Sequence, residues 1–437
     1  MKTLFESWRA AVVAVLMVAP LAGVADETGA AKLKKILDES LHPMLDRELP
    51  TLTFKTVTLG DNLIQLDVPK EMDPVIQDVR TGIWSIYMKH PDEAFELSCL
   101  VFFQTNFVAN GIANLMQRSR DALVELEQVP DGTEGTSGYL HSQFYGDNFD
   151  IVLDAESIAV FDRDTKNVAI YSRGAGGLLD DSTLVCVSSQ FGYRETFTRI
   201  MQRMVASGVR PDLTTTPYFA SVERVFLDDR PAGFNLLWLE SISPDETFFW
   251  TSSSTLSVGS SLAIITDSTT TGTSTPTGTL VSGSTRTISM SGIQADIELS
   301  GDTGEPGVWT AKGQMNGEEV DQQVLTDQAL LSPLGIQQAY LRSSTAPVGS
   351  STSLTTWDPN KPDAITTNTV RRTAQGLALD YAPMVTVELD VDTDGSLKRS
   401  SYRVPAGDTT IRVRSERHHV AGHIPVTNDD LSSIIDD

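Results

Sequence analysis

Residues 219–253 read FASVERVFLDDRPAGFNLLWLESISPDETFFWTSS. Val222, Arg224 and Phe226, then Phe234, Leu236 and Trp238, alternate with a second residue set. Aromatic and β-branched residues at period two fit a pleated strand. Asp228, Asp229, Pro231 and Gly233 supply a turn between the two strands, since proline presets φ and glycine accepts positive φ. Pro244 and Asp245 end the second strand, and extended chain resumes at 247–252. Residues 236–239, LLWL, are apolar at both parities, so this strand is expected to be covered on both faces. The meander predicts an antiparallel sheet that continues downstream, preceded by a separate α/β region.

At 437 residues the chain is long enough for two domains, because single cores rarely grow past about 250–300 residues. Its apolar content of 40% and charged content of 21% are those of a globular chain. A formal net charge of −25 argues against nucleic acid as a partner, since phosphate binding needs clustered Lys and Arg. Residues 1–25 carry Lys2 and Arg9, an apolar run over 10–18, Pro20 and a small-residue stretch ending at Ala25. This is the anatomy of a secretory signal. The apolar run is shorter than the roughly 20 residues a spanning helix needs, and no later stretch is long and apolar enough to serve as one. The expected location is the periplasm or outside the cell.

The N-terminal domain is placed at 26–209. Leu33, Ile36, Leu37, Leu41, Met44 and Leu45 form a helical stripe. A hairpin is expected around Gly60-Asp61, with strands at 83–88, 94–103, 138–144, 157–162, 168–172 and 183–190. Helices are expected at 109–127 and 194–206. The early hairpin running into LDVPKEM, the strand entering the helix at Asn110, and LVCVSS before a terminal helix resemble the PsbP-type α/β/α sandwich over 52–209. That resemblance implies a non-catalytic protein that docks to other proteins.

Residues 210–217, RPDLTTTP, read as a linker. A β-rich domain is placed at 218–426, followed by an acidic tail at 427–437. Within it, 267–279, DSTTTGTSTPTGT, reads as a mobile low-complexity loop. Residues 326–342 read as a short helix split by Pro333. The opening VFLDDRPAGFNLLWLES, the central QALLSPLGIQQAYL and the closing TVELDVDTDGSLKRSSYRV resemble the half-barrel of LolA/LolB-type periplasmic carriers over 222–415. The resemblance implies a concave apolar face under a helix, able to hold a lipid or acyl chain. The expected fold class is therefore α+β: an α/β sandwich, then a mainly antiparallel β half-barrel with an inserted helix.

Phe226, Phe234, Leu236, Trp238, Phe248 and Trp250 are expected to line that face, with Leu330, Leu331, Leu334 and Ile336 packed over it. The face is either a closed core or a site for an apolar, lipid-like ligand. Asp390, Asp392 and Asp394 stand at calcium-loop spacing before Gly395. Ser401 occupies the place of the bidentate Glu, and an Asp-Gly hairpin turn accounts for the same residues. His418 and His419 point to opposite faces of a strand and cannot easily share a metal. Lys398, Arg399, Arg403, Arg412, Arg414 and Arg417 make a basic stretch in an acidic chain. It reads as a cross-strand charge ladder or as a patch for an anionic headgroup or partner. The two cysteines, Cys99 and Cys186, lie in predicted strands of an exported chain and are expected to form a disulfide; two buried free thiols are the alternative. No nucleophile elbow, phosphate loop or catalytic constellation is visible, and no cofactor is implied. Two function classes remain: a non-enzymatic binding or docking protein of the bacterial cell envelope, with an apolar ligand or an envelope protein as partner, and a secreted hydrolase with a scattered site.

Overall fold

The structure is a computed structural model that describes residues 46–127, 129, 135–161, 168–213, 216–258, 263–301, 307–358, 365–381, 385–393, 396–406 and 409–425. The signal segment, the helical stripe at 33–45, Asp394 and the acidic tail lie outside the described residues. The protein is α+β, with two large antiparallel sheets and few helices.

A hairpin opens the first region: β1 (Phe54–Leu59) and β2 (Ile64–Pro69) turn through Gly60, Asp61 and Asn62, all at positive φ. A seven-stranded sheet follows. Its strands are β3 (Val75–Arg80), β4 (Ile83–Lys89), β5 (Glu96–Phe102), β6 (Gly135–Tyr145), β7 (Val152–Phe161), β8 (Val168–Leu179) and β9 (Ser182–Ser188). Their spatial order is β3-β4-β5-β9-β8-β7-β6. Helix α1 (Val108–Leu126) packs on one face and α2 (Arg194–Ala206) on the other. The α2 residues Phe197, Ile200, Met201 and Met204 share a core with the hairpin and with Ile86, Met88, Leu97 and Leu184. Cys99 and Cys186 stand opposite each other in the β5–β9 register, with Cα atoms 4.0 Å apart and sulfurs 2.07 Å apart. The run GAGG at 174–177 lies inside β8, and Gly174 lets α1 approach. A Cβ on Gly174 would meet the Met116 side chain at 2.8 Å.

The second sheet has fourteen strands. Eight run from the opening meander: β10 (Phe219–Leu227), β11 (Arg230–Ser243), β12 (Glu246–Val258), β13 (Ala263–Ser274), β14 (Leu280–Ser289), β15 (Gly292–Gly301), β16 (Val308–Met315) and β17 (Glu318–Leu325). After helix α3 (Pro333–Thr345) come β18 (Ser351–Trp357), β19 (Ile365–Arg372), β20 (Leu377–Tyr381), β21 (Val385–Val391), β22 (Leu397–Ala406) and β23 (Thr409–Gly422). Each strand pairs with its sequence neighbour, and β10 pairs with β23 to join the two arms. Strands β17 and β18 are the two edges of this antiparallel sheet. The β10–β11 hairpin turns at Asp228 and Asp229, both at positive φ, as a two-residue turn matching strand twist requires.

Two local expectations are overturned. Residues 267–274 are not a mobile loop but most of strand β13. Threonine is β-branched and suits a pleat, and hydroxyls bond across the ladder: Thr270 to Thr285 at 2.9 Å and Thr273 to Ser282 at 3.1 Å. Pro333 does not split a helix but begins one. It is the first residue of α3, where a missing N–H costs nothing, and the Ser332 hydroxyl accepts from the Gly335 N–H at 3.3 Å.

One apolar cluster joins the two sheets. Val108, Ile112, Leu115 and Met116 of α1 bury into one apolar cluster with Leu153 and Val185 of the first sheet and with Val222, Phe234, Leu236, Leu256 and Ile265 of the second. The layers run α2 and hairpin, seven-stranded sheet, α1, fourteen-stranded sheet, α3. The α1 N-terminus is capped from the other sheet. Phe107 offers no side-chain cap. The Asp267 carboxylate instead accepts from the backbone N–H groups of Ala109 and Asn110 and from Asn110 Nδ2, each at 2.9 Å. An anion at that position satisfies orphan donors and opposes the positive end of the helix dipole.

Candidate functional site

The large sheet has two differently covered faces. On the outer one stand Phe226, Phe234, Leu236, Trp238, Phe248 and Trp250, as period two requires. Their expected cover, the segment around Leu334, is not there. Phe234 and Leu236 pack on α1. Phe226 meets the Phe144 ring at 5.6 Å, and Trp238 meets Phe149 and Trp250, each at 6.4 Å. The first region fills this face. Leu334 is fully buried on the inner face, clustered with Leu330, Phe219, Leu239, Phe249 and Leu280. Alternation separated the two residue sets, but it could not say which set each cover would meet.

The inner face changes character along its strands. One cross-strand row, Phe219–Leu239–Phe249, is core. The next is Ser221–Leu237–Thr251–Thr270, and the one after is Glu223–Asn235–Ser253–Ser268. Two consecutive rows are thus mainly polar. Above them the first turns of α3 hold Pro333, Ile336 and Gln337 over a cleft of about 260 Å³. Burial pushes the Glu223 carboxyl up, against hydrogen bonds from Ser415 and Asn235 and the charge of Arg417, which pull it down. Burial also raises the Tyr340 phenol of α3, and the Glu223 charge adds to that. Gln337 Oε1 is buried without a hydrogen-bond partner. The strands under the cleft are held from behind: Asn106 Nδ2 donates to the carbonyls of Ser253 at 2.9 Å and Ser268 at 3.2 Å. Sequence reasoning missed this cleft. The available signal was a Glu and an Asn at inner-face positions of otherwise apolar strands, which is unusual for buried positions.

Two of the calcium-spaced carboxylates pair with the basic stretch. Asp390 lies 3.8 Å from Arg399, while Asp392 pairs with Arg417 at 2.9 Å and Lys398 at 3.3 Å. The Thr393 N–H, then Arg417 and Lys398, hold the Asp392 carboxyl at about 2. Among the described residues no group of three or more His, Cys, Asp or Glu is placed to hold a metal. Arg414 pairs with Asp229 and Glu416 and lies over the Phe226 ring. His419 packs its ring edge-on against Phe149, and His418, burdened first by burial and then by the Arg224 charge, has its pKa lowered.

A second polar cluster lies inside the first sheet, and sequence reasoning missed it too. Arg173, 2% exposed, forms a two-pronged pair with fully buried Asp154 at 2.6 and 3.1 Å, and donates to the Arg194 carbonyl and Thr198. Glu156, equally buried, takes Arg194 at 2.7 Å and the Tyr171 hydroxyl at 2.5 Å. Every named group has a partner, so the cluster reads as structural.

Asp150, next to Phe149 at the junction of the two sheets, is pushed up to about 6 by burial, then by Asp147 and Asp180. Its unfolded value is about 3.9, so the folded chain holds this proton more tightly. That contribution is fully present below about pH 4 and is lost as pH rises through 6. Asp150→Asn is expected to raise Tm at pH 7–8 and to flatten the stability profile between pH 4 and 6. Scanning calorimetry across pH checks it; an unchanged profile would show that Asp150 is solvated.

No protein-family model matches the chain, and no curated protein matches it. Among solved structures it is similar to the solution structure of cyanobacterial PsbP (CyanoP) from Synechocystis sp. PCC 6803, at 10% identity and a TM-score of 0.25. The match covers 37% of this chain and 94% of that one. This is a weak, partial likeness in fold. No helix among the described residues is long and apolar enough to cross a membrane.

Proposed function

We propose that the protein is an exported binding protein of the cell envelope whose ligand site is the cleft between the large sheet and α3. The observation that carries this reading is the pair of polar rows beneath α3, on a face that is otherwise core. A sheet face under a helix is normally closed by apolar packing, and polar groups there need partners. With the outer aromatic face filled by α1 and by Phe144 and Phe149, the site moves from an apolar trough to a small polar one. A cleft of about 260 Å³ suits a small molecule, below the usual 300–1,000 Å³ of drug-sized sites. Export is supported by the signal anatomy of 1–25 and by the cross-strand placement of Cys99 and Cys186.

A fragment screen by NMR tests the reading. Hits are expected to shift the amides of Asn235, Ser253 and Gln337, and Ser253→Phe, which fills the cleft, is expected to abolish those shifts. Hits that all map elsewhere, or none at millimolar fragment, would sink it.

A further inference from the structure

Resting on that reading, we infer that the cleft takes a small aliphatic amine, its ammonium group held by Glu223 and Gln337 and its hydrocarbon part laid against Leu237, Pro333 and Ile336. The lining decides the class. Among the described residues that line the cleft, Glu223 carries the one charged side chain, and no Lys, Arg or His is present. Arg417, whose charge acts on Glu223, has its two terminal nitrogens engaged by Ser396 at 3.1 Å and Asp392 at 2.9 Å. Its charge is therefore largely answered by Asp392. Tyr340, from α3, faces Glu223 as a neutral phenol. Glu223 accepts from Ser415 and Asn235, which leaves lone pairs on a carboxylate that can take about four donors. Gln337 Oε1, across the cleft, is an acceptor without a donor.

A ligand that completes this site must bring N–H donors and no acceptor of its own to that end. An ammonium has three donors, no acceptor and a charge opposite to Glu223. A carboxylate ligand would leave Gln337 unanswered and face Glu223 as a like charge. An alcohol brings one donor and no charge. The apolar wall is short, which limits the hydrocarbon part to a few carbons within about 260 Å³.

Calorimetric titration of the full mature chain with n-butylammonium, butan-1-ol and butyrate distinguishes these. The amine is expected to bind saturably, with the alcohol and the acid at least tenfold weaker. Glu223→Gln, which keeps the shape and removes the charge, is expected to weaken the amine at least tenfold. Gln337→Leu, on the helix side, is expected to weaken it severalfold; because it sits apart from Glu223, it keeps the test open should the first variant fold poorly. Alcohol binding as tight as amine binding, or an indifferent Glu223→Gln, overturns the amine assignment. If no probe in the series binds while fragments still map to the cleft, the ligand class fails and the binding site stands. If the cleft takes no fragment either, both fail.

Discussion

Replacing Arg173 by Met is expected to remove about 3–5 kcal/mol of stability, the usual cost of stranding one partner of a buried ion pair. Asp154 is fully buried, and Arg173 bonds both of its oxygens. Burial disfavours the Arg173 charge, but Asp154 outweighs this and holds the guanidinium charged. Without Arg173, Asp154 keeps the Tyr145 hydroxyl at 3.0 Å but loses its countercharge. Domains have only about 5–15 kcal/mol in hand, so the urea midpoint should fall by about a fifth or more. The double variant Asp154→Leu, Arg173→Met should recover most of the loss, because it removes both charges at once. A single variant within about 1 kcal/mol of the parent would show that the pair is hydrated.

Leu334→Asp is expected to unfold the protein at room temperature. Leu334 is 0% exposed among Phe219, Leu239, Phe249 and Leu280. Truncating such a leucine to Ala costs about 2–5 kcal/mol, and a buried unpaired carboxylate costs more. The loss should not stop at the large sheet. The cluster around α1 joins both sheets, so far-UV signal and the burial of Phe197 and Trp84 in the first region should go in the same transition. A folded Leu334→Asp protein that had merely lost ligand would mean that this residue lines a site and not a core.

Much of the architecture was legible because it is local. The hairpin at Gly60, α2 at Arg194–Ala206 and α1 within a residue at each end follow from turn chemistry and helical period. What failed was long-range. A run of Ser and Thr looks like a loop until a partner strand supplies Thr285 and Ser282 for its hydroxyls. The aromatic set of β11 and β12 was read as one face, but its cover comes from residues 144–149 and α1, far upstream. Glu223 and Asn235 fell in the second set of the alternation, and their role depended on where α3 came to rest. Arg173, Asp154 and Glu156 were passed over because strand periodicity cannot distinguish a solvated charge from a paired buried one.

The cap that Asp267 places on α1 has a consequence for the order in which this chain can mature. A polypeptide is made from its N-terminus. When the first region has emerged, Ala109 and Asn110 still await a carboxylate about 157 residues further along, and the apolar stripe of Val108, Ile112 and Leu115 has no second sheet to lie against. Until β13 has been delivered, the early half of the molecule is an intermediate with a sticky helix on its surface. A ribosome stall or protease cut near the linker would therefore release not a small stable domain but a client for chaperones.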